Sequence, residues 1–239
     1  MKQISAQNLD FKELNEQVKA TTEDVCIDHC YGQRFIGSTL KGRTIVINGT
    51  PGNALGAYLD GGVIEVNGNA QDAVGDTMND GKIIVRGSTG DALGYAMRGG
   101  NIFIRGNSGY RTGIHMKEYK SKKPAIVIGG RTGSFLGEYL AGGIIVVLGI
   151  DIEEIPVGNF TGTGMHGGKI FIRTNKELSG LPAQVVLEIA SAADLQEIEP
   201  YIAEFAKYFN LDASSYVKDR FYILKPNAKN PYKQLYTHN

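Results

Sequence analysis

Short apolar runs recur through the middle of the chain at a nearly fixed interval. They are TIVI (44–47), VIEV (63–66), KIIV (82–85), NIFI (101–104), AIVI (125–128), IIVV (144–147) and KIFI (169–172). The second position is always isoleucine: Ile45, Ile64, Ile83, Ile102, Ile126, Ile145 and Ile170. The fourth is Ile47, Val66, Val85, Ile104, Ile128, Val147 and Ile172. Both columns are wholly β-branched, which predicts strands. Ahead of each run stands one Leu or Met: Leu40, Leu59, Met78, Met97, Met116, Leu140 and Met165. The basic interval is 19 residues. It holds one short strand and no helical stretch, which excludes βαβ units. It is also too short for a propeller blade of about 40 residues. A coil of a β-solenoid fits, because stacked coils bring like residues into columns. The expected fold is mainly β: a right-handed parallel β-helix of about seven coils over residues 22–174. With strands about 4.8 Å apart, it would span roughly 30 Å.

The third strand position should point away from the solenoid core. It holds Val46, Glu65, Ile84, Phe103, Val127, Val146 and Phe171. Six apolar residues in seven predict a covered outer face, either by the chain's own ends or by a partner subunit. Residues 1–21 read as an N-terminal helical cap. Asp10 is its N-cap, with Phe11, Leu14 and Val18 on one face. Residues 175–239 read as a C-terminal helix and extended tail packed on the solenoid, making one domain overall. Within them, 184–190 is an expected strand, and Ser191 and Asp194 form an expected capping box. Leu195, Ile198, Ile202, Phe205 and Phe209 recur at helical spacing, with Pro200 either in the first turns or at a kink. The aromatic-rich tail 221–239 reads as extended.

Glycine then sharpens the picture. The chain has 32, about 13%, against a usual share of roughly 7%. Gly49, Gly68, Gly87 and Gly106 are spaced by 19, followed by Gly130 and Gly149. A second column holds Gly37, Gly56, Gly75, Gly94, Gly113 and Gly137 and, allowing two extra residues, Gly158. Four turns show G-x-x-G-x-x-x-G: GTPGNALG, GSTGDALG, GNSGYRTG and GRTGSFLG. Glycines in this register mark solenoid corners. Lys+Arg and Asp+Glu both number 25. A global field recruiting nucleic acid or an acidic membrane is therefore not expected. No run approaches the ~20 apolar residues of a membrane span. Two cysteines rule out a disulfide scaffold, and a cytoplasmic location is expected.

Candidate chemistry is sparse. Cys26, His29 and Cys30 in CIDHC offer too few ligands at suitable spacing for a metal site. GTGMHG (162–167) matches G-x-G-x-x-G but precedes a strand, whereas a dinucleotide fingerprint follows one and opens a helix. No nucleophile elbow or P-loop occurs. No catalytic, cofactor-binding or metal residue is therefore assigned. His115 and His166 lie where the spacing departs from 19 and read as surface or corner residues. The insertion after His115 carries Lys117, Lys120, Lys122 and Lys123 and reads as a protruding solvated loop. As the largest irregularities on a regular rod, His115, these lysines and His166 are candidate docking residues. The longer path IDIEEIPV (150–157) is another irregularity.

The glycine repeats, the GGxIxV strands and the phrase GTGMHGGKIFIR resemble the C-terminal β-helix, or GXGXG, domain of the glutamate synthase large subunit. GYRTGIHMKEYK, GGRTGSFLGEYLAGGIIVVLG and NPYKQLY are similar to free-standing forms of that domain. One of the subunits of formylmethanofuran dehydrogenase and one of N-methylglutamate synthase resemble the same solenoid. The resemblance implies a non-catalytic scaffold for amidotransferase and FMN/iron–sulfur synthase subunits. Those partners would carry FMN and the cluster, and this chain would bind neither. Residue 2 is Lys, so the family's N-terminal cysteine nucleophile has no counterpart. Assembly into a homo-oligomer and independent β-helix enzyme activity stay open.

Overall fold

The computed structural model describes residues 1–227. Nine parallel strands, β1 (Lys2–Ser5), β2 (Val25–Tyr31), β3 (Thr44–Thr50), β4 (Asp60–Asn67), β5 (Asp80–Val85), β6 (Asn101–Ile104), β7 (Ala125–Ile128), β8 (Ala141–Val147) and β9 (Gly167–Arg173), stack in sequence order. Two more, β10 (Val185–Ile189) and β11 (Phe221–Pro226), complete the sheet. The register is that of the repeat: Ile45, Ile64, Ile83, Ile102, Ile126, Ile145 and Ile170 are successive partners. All are fully buried, as is the Leu/Met column from Leu59 to Leu140.

Nine parallel strands delimit about eight turns, more than the seven apolar runs suggested. The additions are β1 and β2. β1 pairs in register with β2, placing Ile4 beside Ile27 and Ile27 beside Ile47. In the first turn the helix α1 (Phe11–Lys19) replaces a glycine corner. Asp10 caps α1 in a reciprocal box with Glu13. Arg43 closes its other end by donating to the carbonyls of Val18, Thr21 and Glu23. Gln33 stands in the middle glycine column, where its amide reaches back to the Ala6 and Leu9 carbonyls and bridges to the first turn.

The corners explain the glycines. Gly94 has φ +66, and a Cβ there would lie 2.5 Å from Cδ1 of Ile126, the core residue two strands on. The Gly94 amide donates to the Val74 carbonyl of the coil before. Ala92 and Ala96, also left-handed, donate to Tyr110 and Ile114 of the coil after. Backbone hydrogen bonding therefore continues from coil to coil through the bend. Side-chain ladders add to it: Asp91 N–H donates to Asp72, Tyr110 N–H to Asp91, and Asn107 N–H to Ser88.

Two of the expected corner glycines fall elsewhere. Gly162 (φ +76), rather than Gly158, continues the second column, because Met165 N–H donates to its carbonyl as Leu140 does to Gly137. Gly158 instead packs on Gly133 and Ser134, in the middle column. Gly149 leaves its stack, since the 150–157 detour folds Pro156 against it.

The outer face is covered by the chain itself. Helix α2 (Ala192–Phe209) lays Ile198, Ile202 and Phe205 on Ile84, Phe103, Val127, Val146 and Phe171. Phe221 and Ile223 of β11 join this second core. A Cβ at Gly129 would fall 2.9 Å from the Phe205 ring, so that glycine admits the helix. Pro200 lies inside α2 on its exposed side. Ser191 and Asp194 make the N-terminal capping box. After α2 comes a short turn of helix, α3 (Ser214–Val217). β11 then pairs antiparallel to β9, and β10 to β11, closing the last parallel edge. The tail beyond residue 227, with NPYKQLY, lies outside the described residues.

Charged pairs fasten the helix. Glu197 takes Lys123 and Lys169, each at 2.5 Å, and Glu204 pairs with Lys82. Burial pushes the Glu197 carboxyl up, but the two ammonium groups outweigh this and hold it below its ordinary value. The Ser191 hydroxyl, chiefly, likewise holds Asp194 low. A depressed carboxyl stabilises the fold above its unfolded pKa of about 4, and that stability is lost as pH falls through the lower folded value. Protection of α2 amides from hydrogen exchange, taken relative to the intrinsic rate at each pH, should thus fall below about pH 4 before that of the solenoid strands. Glu197→Gln should shrink this acid-induced loss. Exchange measured at pH 7 and at pH 3 checks both.

Gly94→Ala should destabilise by about 3 kcal/mol, combining left-handed strain with overpacking against Ile126. Adding Ile126→Val removes the clashing methyl and should restore part of the loss in a double-mutant cycle. Ala92→Gly, at φ +55, should be neutral or stabilising by up to about 1 kcal/mol. Urea denaturation midpoints read all three.

Candidate functional site

The residues with the most chemical promise are engaged in structure. CIDHC is strand β2 with a bulge between Ile27 and Cys30, and His29 bends outward there at φ +56. Cys26 and Cys30 are free thiols, both buried. Burial raises the Cys30 thiol to about 11, opposite to what a nucleophile needs. Among the described residues no group of three or more His, Cys, Asp or Glu could hold a metal ion. No described helix is long and apolar enough to cross a membrane.

The G-x-G-x-x-G stretch is equally structural. Gly162 is a corner, and a Cβ at Gly167 would meet the Ala141 carbonyl at 2.2 Å. Gly164 lies under the ring of Tyr139, where a Cβ would fall 2.4 Å from Cδ1. His166 contacts the Gly164 carbonyl through Nδ1 at 3.2 Å.

The candidate docking residues separate into two groups. Lys122 folds back on the rod, 2.9 Å from Asp80 and 3.6 Å from Asp60, and donates to the Asn79 carbonyl. Its proton is held more tightly than usual, chiefly through Asp80, and both acids are held low. Lys123 is committed to Glu197. These two fasten the insertion to the rod, so it does not protrude as a fully solvated loop. Lys117 and Lys120 remain exposed, with Lys120 over the Tyr119 ring at 5.3 Å. His115 is an exposed corner residue stacked on Tyr139 at 5.1 Å, and Tyr95 meets it edge-on at 5.9 Å. Beside them Phe135 stacks on Phe160, and Arg111 reaches over Phe135 to pair with Glu138 at 3.0 Å. The ring cluster escaped sequence reading. Tyr95 and Tyr139 lie 44 residues apart in neighbouring repeat positions, and only the known coil register brings them to His115.

The molecule presents a solenoid with an aromatic and basic corner. Comparison with known proteins agrees with this architecture. An uncharacterized protein of Methanocaldococcus jannaschii is 43% identical over 249 residues, covering 98% of this chain and 95% of its own. Among solved structures, a chain of the formyltransferase/hydrolase complex (FhcABCD) of Methylorubrum extorquens, determined with methylofuran, superposes with a TM-score of 0.65. It is 18% identical, with 92% of this chain and 89% of that one covered, and shares the fold. The GXGXG motif model matches residues 5–229. This chain belongs to the GXGXG motif family.

Proposed function

We propose that this chain is a non-catalytic structural subunit of a multi-subunit redox complex. The observation that carries the reading is the solenoid itself, which over nine-tenths of its length is shaped like a chain of a solved enzyme complex. The structural roles of Cys30, Gly162, Gly164 and Gly167 point the same way.

Two assemblies are in view. The first is a complex of the formylmethanofuran dehydrogenase kind, with this chain in the place of its solenoid subunit. The solved neighbour from a formyltransferase/hydrolase complex supports it. The second is a glutamate synthase complex, with amidotransferase and FMN/iron–sulfur subunits as partners; N-methylglutamate synthase is a variant of it. Its support is the run of G-x-x-G-x-x-x-G corners with GTGMHGGKIFIR. In either, the catalytic groups and cofactors belong to the partners and this chain orders them in space. The neighbour favours the first.

Tagging the full chain in its native host and purifying it under mild conditions separates the readings. Stoichiometric partners are expected. A molybdenum- or tungsten-containing subunit would identify the first assembly, and an amidotransferase with an FMN/iron–sulfur protein the second. A chain that elutes alone and turns over substrate by itself would refute the scaffold role.

A further inference from the structure

The strand face of the rod carries α2, and β11 closes the last parallel edge. The first end is finished differently. At every later corner two amides donate to the coil before. Gly56 N–H donates to the Ile36 carbonyl at 2.8 Å and Asp60 N–H to the Leu40 carbonyl at 2.9 Å, and the pattern repeats through Gly162 and His166. Gly37 and Lys41 hold these two positions in the first glycine corner. The turn before them contains α1, and Arg43 takes the Val18, Thr21 and Glu23 carbonyls at its end. The Gly37 and Lys41 amides therefore have no acceptor among the described residues, and Gly37 is buried. The neighbouring Ser38 hydroxyl is also buried without a hydrogen-bond partner. Buried donors in folded proteins are nearly always paired.

Gly37, Ser38 and Lys41 line one cavity. It holds about 500 Å³ between α1 and the first corner, with Asn15, Val18, Lys19 and Arg43 also in its wall. Small-molecule sites typically measure about 300–1,000 Å³. Three cations, Lys19, Lys41 and Arg43, line the cavity, and no Asp or Glu does. Lys41 is paired at 2.9 Å with Asp60, which is not in the wall. Arg43 donates only to carbonyls, so no carboxylate cancels its charge. Lys19 lies in the last turn of α1. Unpaired donors beside positive charge select an oxygen-rich anion. A cation would be repelled, and an apolar ligand would leave the donors unpaired.

We infer that this cavity binds a small molecule through an oxyanion group, a phosphate or a carboxylate. Its oxygens accept from the Gly37 and Lys41 amides, as carbonyls of the preceding coil do at later corners, and from the Ser38 hydroxyl. Arg43 and Lys19 supply the countercharge. The site is independent of the scaffold role.

The test is amide NMR of the isotope-labelled full chain in low-chloride buffer, titrated with inorganic phosphate in one arm and citrate in the other. In at least one arm the Gly37 and Lys41 amide signals should move downfield and saturate, with a Kd of about 1 mM or tighter. Saturation by phosphate alone assigns a phosphorylated ligand, by citrate alone a carboxylated one, and by both a site for either. Ser38→Ala removes a hydroxyl that makes no hydrogen bond in the fold. Its thermal melt should therefore match wild type while affinity falls about tenfold, the scale of one charge-assisted hydrogen bond. Lys19→Gln should weaken binding about threefold. Lys12→Gln, on α1 but outside the cavity wall, should leave it unchanged. Shifts that spread over exposed lysines without saturating would mean an adventitious ion only and would overturn the site. Unmoved Gly37 and Lys41 signals in both arms would overturn it too, as would Ser38→Ala binding within twofold of wild type. Partner retention tests the scaffold role separately, so either reading can fail while the other stands.

Discussion

Everything in this protein depends on one close approach. At each corner a glycine in the left-handed region turns its missing Cβ toward the Cδ1 of a stacked isoleucine, 2.4–2.7 Å away from Gly37 through Gly137. The bend must be tight for 19 residues to close a coil. The isoleucine column must be continuous for coils to stack. Only a residue without a side chain satisfies both. The constraint repeats at every coil, so the chain tolerates left-handed alanine, tyrosine and histidine two residues to either side. Their strain, of order 1–2 kcal/mol each, is offset by hydrogen bonds that run unbroken from coil to coil.

A stack of this kind has two weaknesses, its ends and its exposed strand face, and the flanking segments meet both. Gln33, Arg43 and α1 finish the first turn, and β11 with β10 finishes the last. α2 converts an apolar outer face into a second core. Its attachment relies on ion pairs of Glu204 with Lys82 of β5 and of Glu197 with Lys169 of β9 and Lys123 of the 117–124 insertion. The insertion is thus tied into the fold through Lys122 and Lys123, and its outward character narrows to Lys117 and Lys120.

The functional reading follows from the same economy. The cysteines and the glycine motif are used in building the rod. Among the exposed rings, Tyr95, His115 and Tyr139 are in mutual contact at one corner. The sequence motifs resemble the glutamate synthase domain, and the solved neighbour, at 18% identity, shares the fold.

The sequence by itself determined the solenoid, its register and its core columns, because an identical local environment at every coil demands the same residue at the same position. It also located both helix caps, since Asp10 with Glu13 and Ser191 with Asp194 act within a single turn. Tertiary structure alone decided what covers the outer face. An apolar column at Ile84, Phe103 and Phe171 is compatible with α2 or with another chain, and only packing chooses. It alone added β1 to the stack, since four residues carry too little pattern to read. It alone reassigned Gly158 and Gly162, where an insertion of uncertain position shifts the count. The Tyr95–His115–Tyr139 corner was invisible for the same reason: its members meet through stacking at a spacing that insertions disturb, and no local pattern marks them.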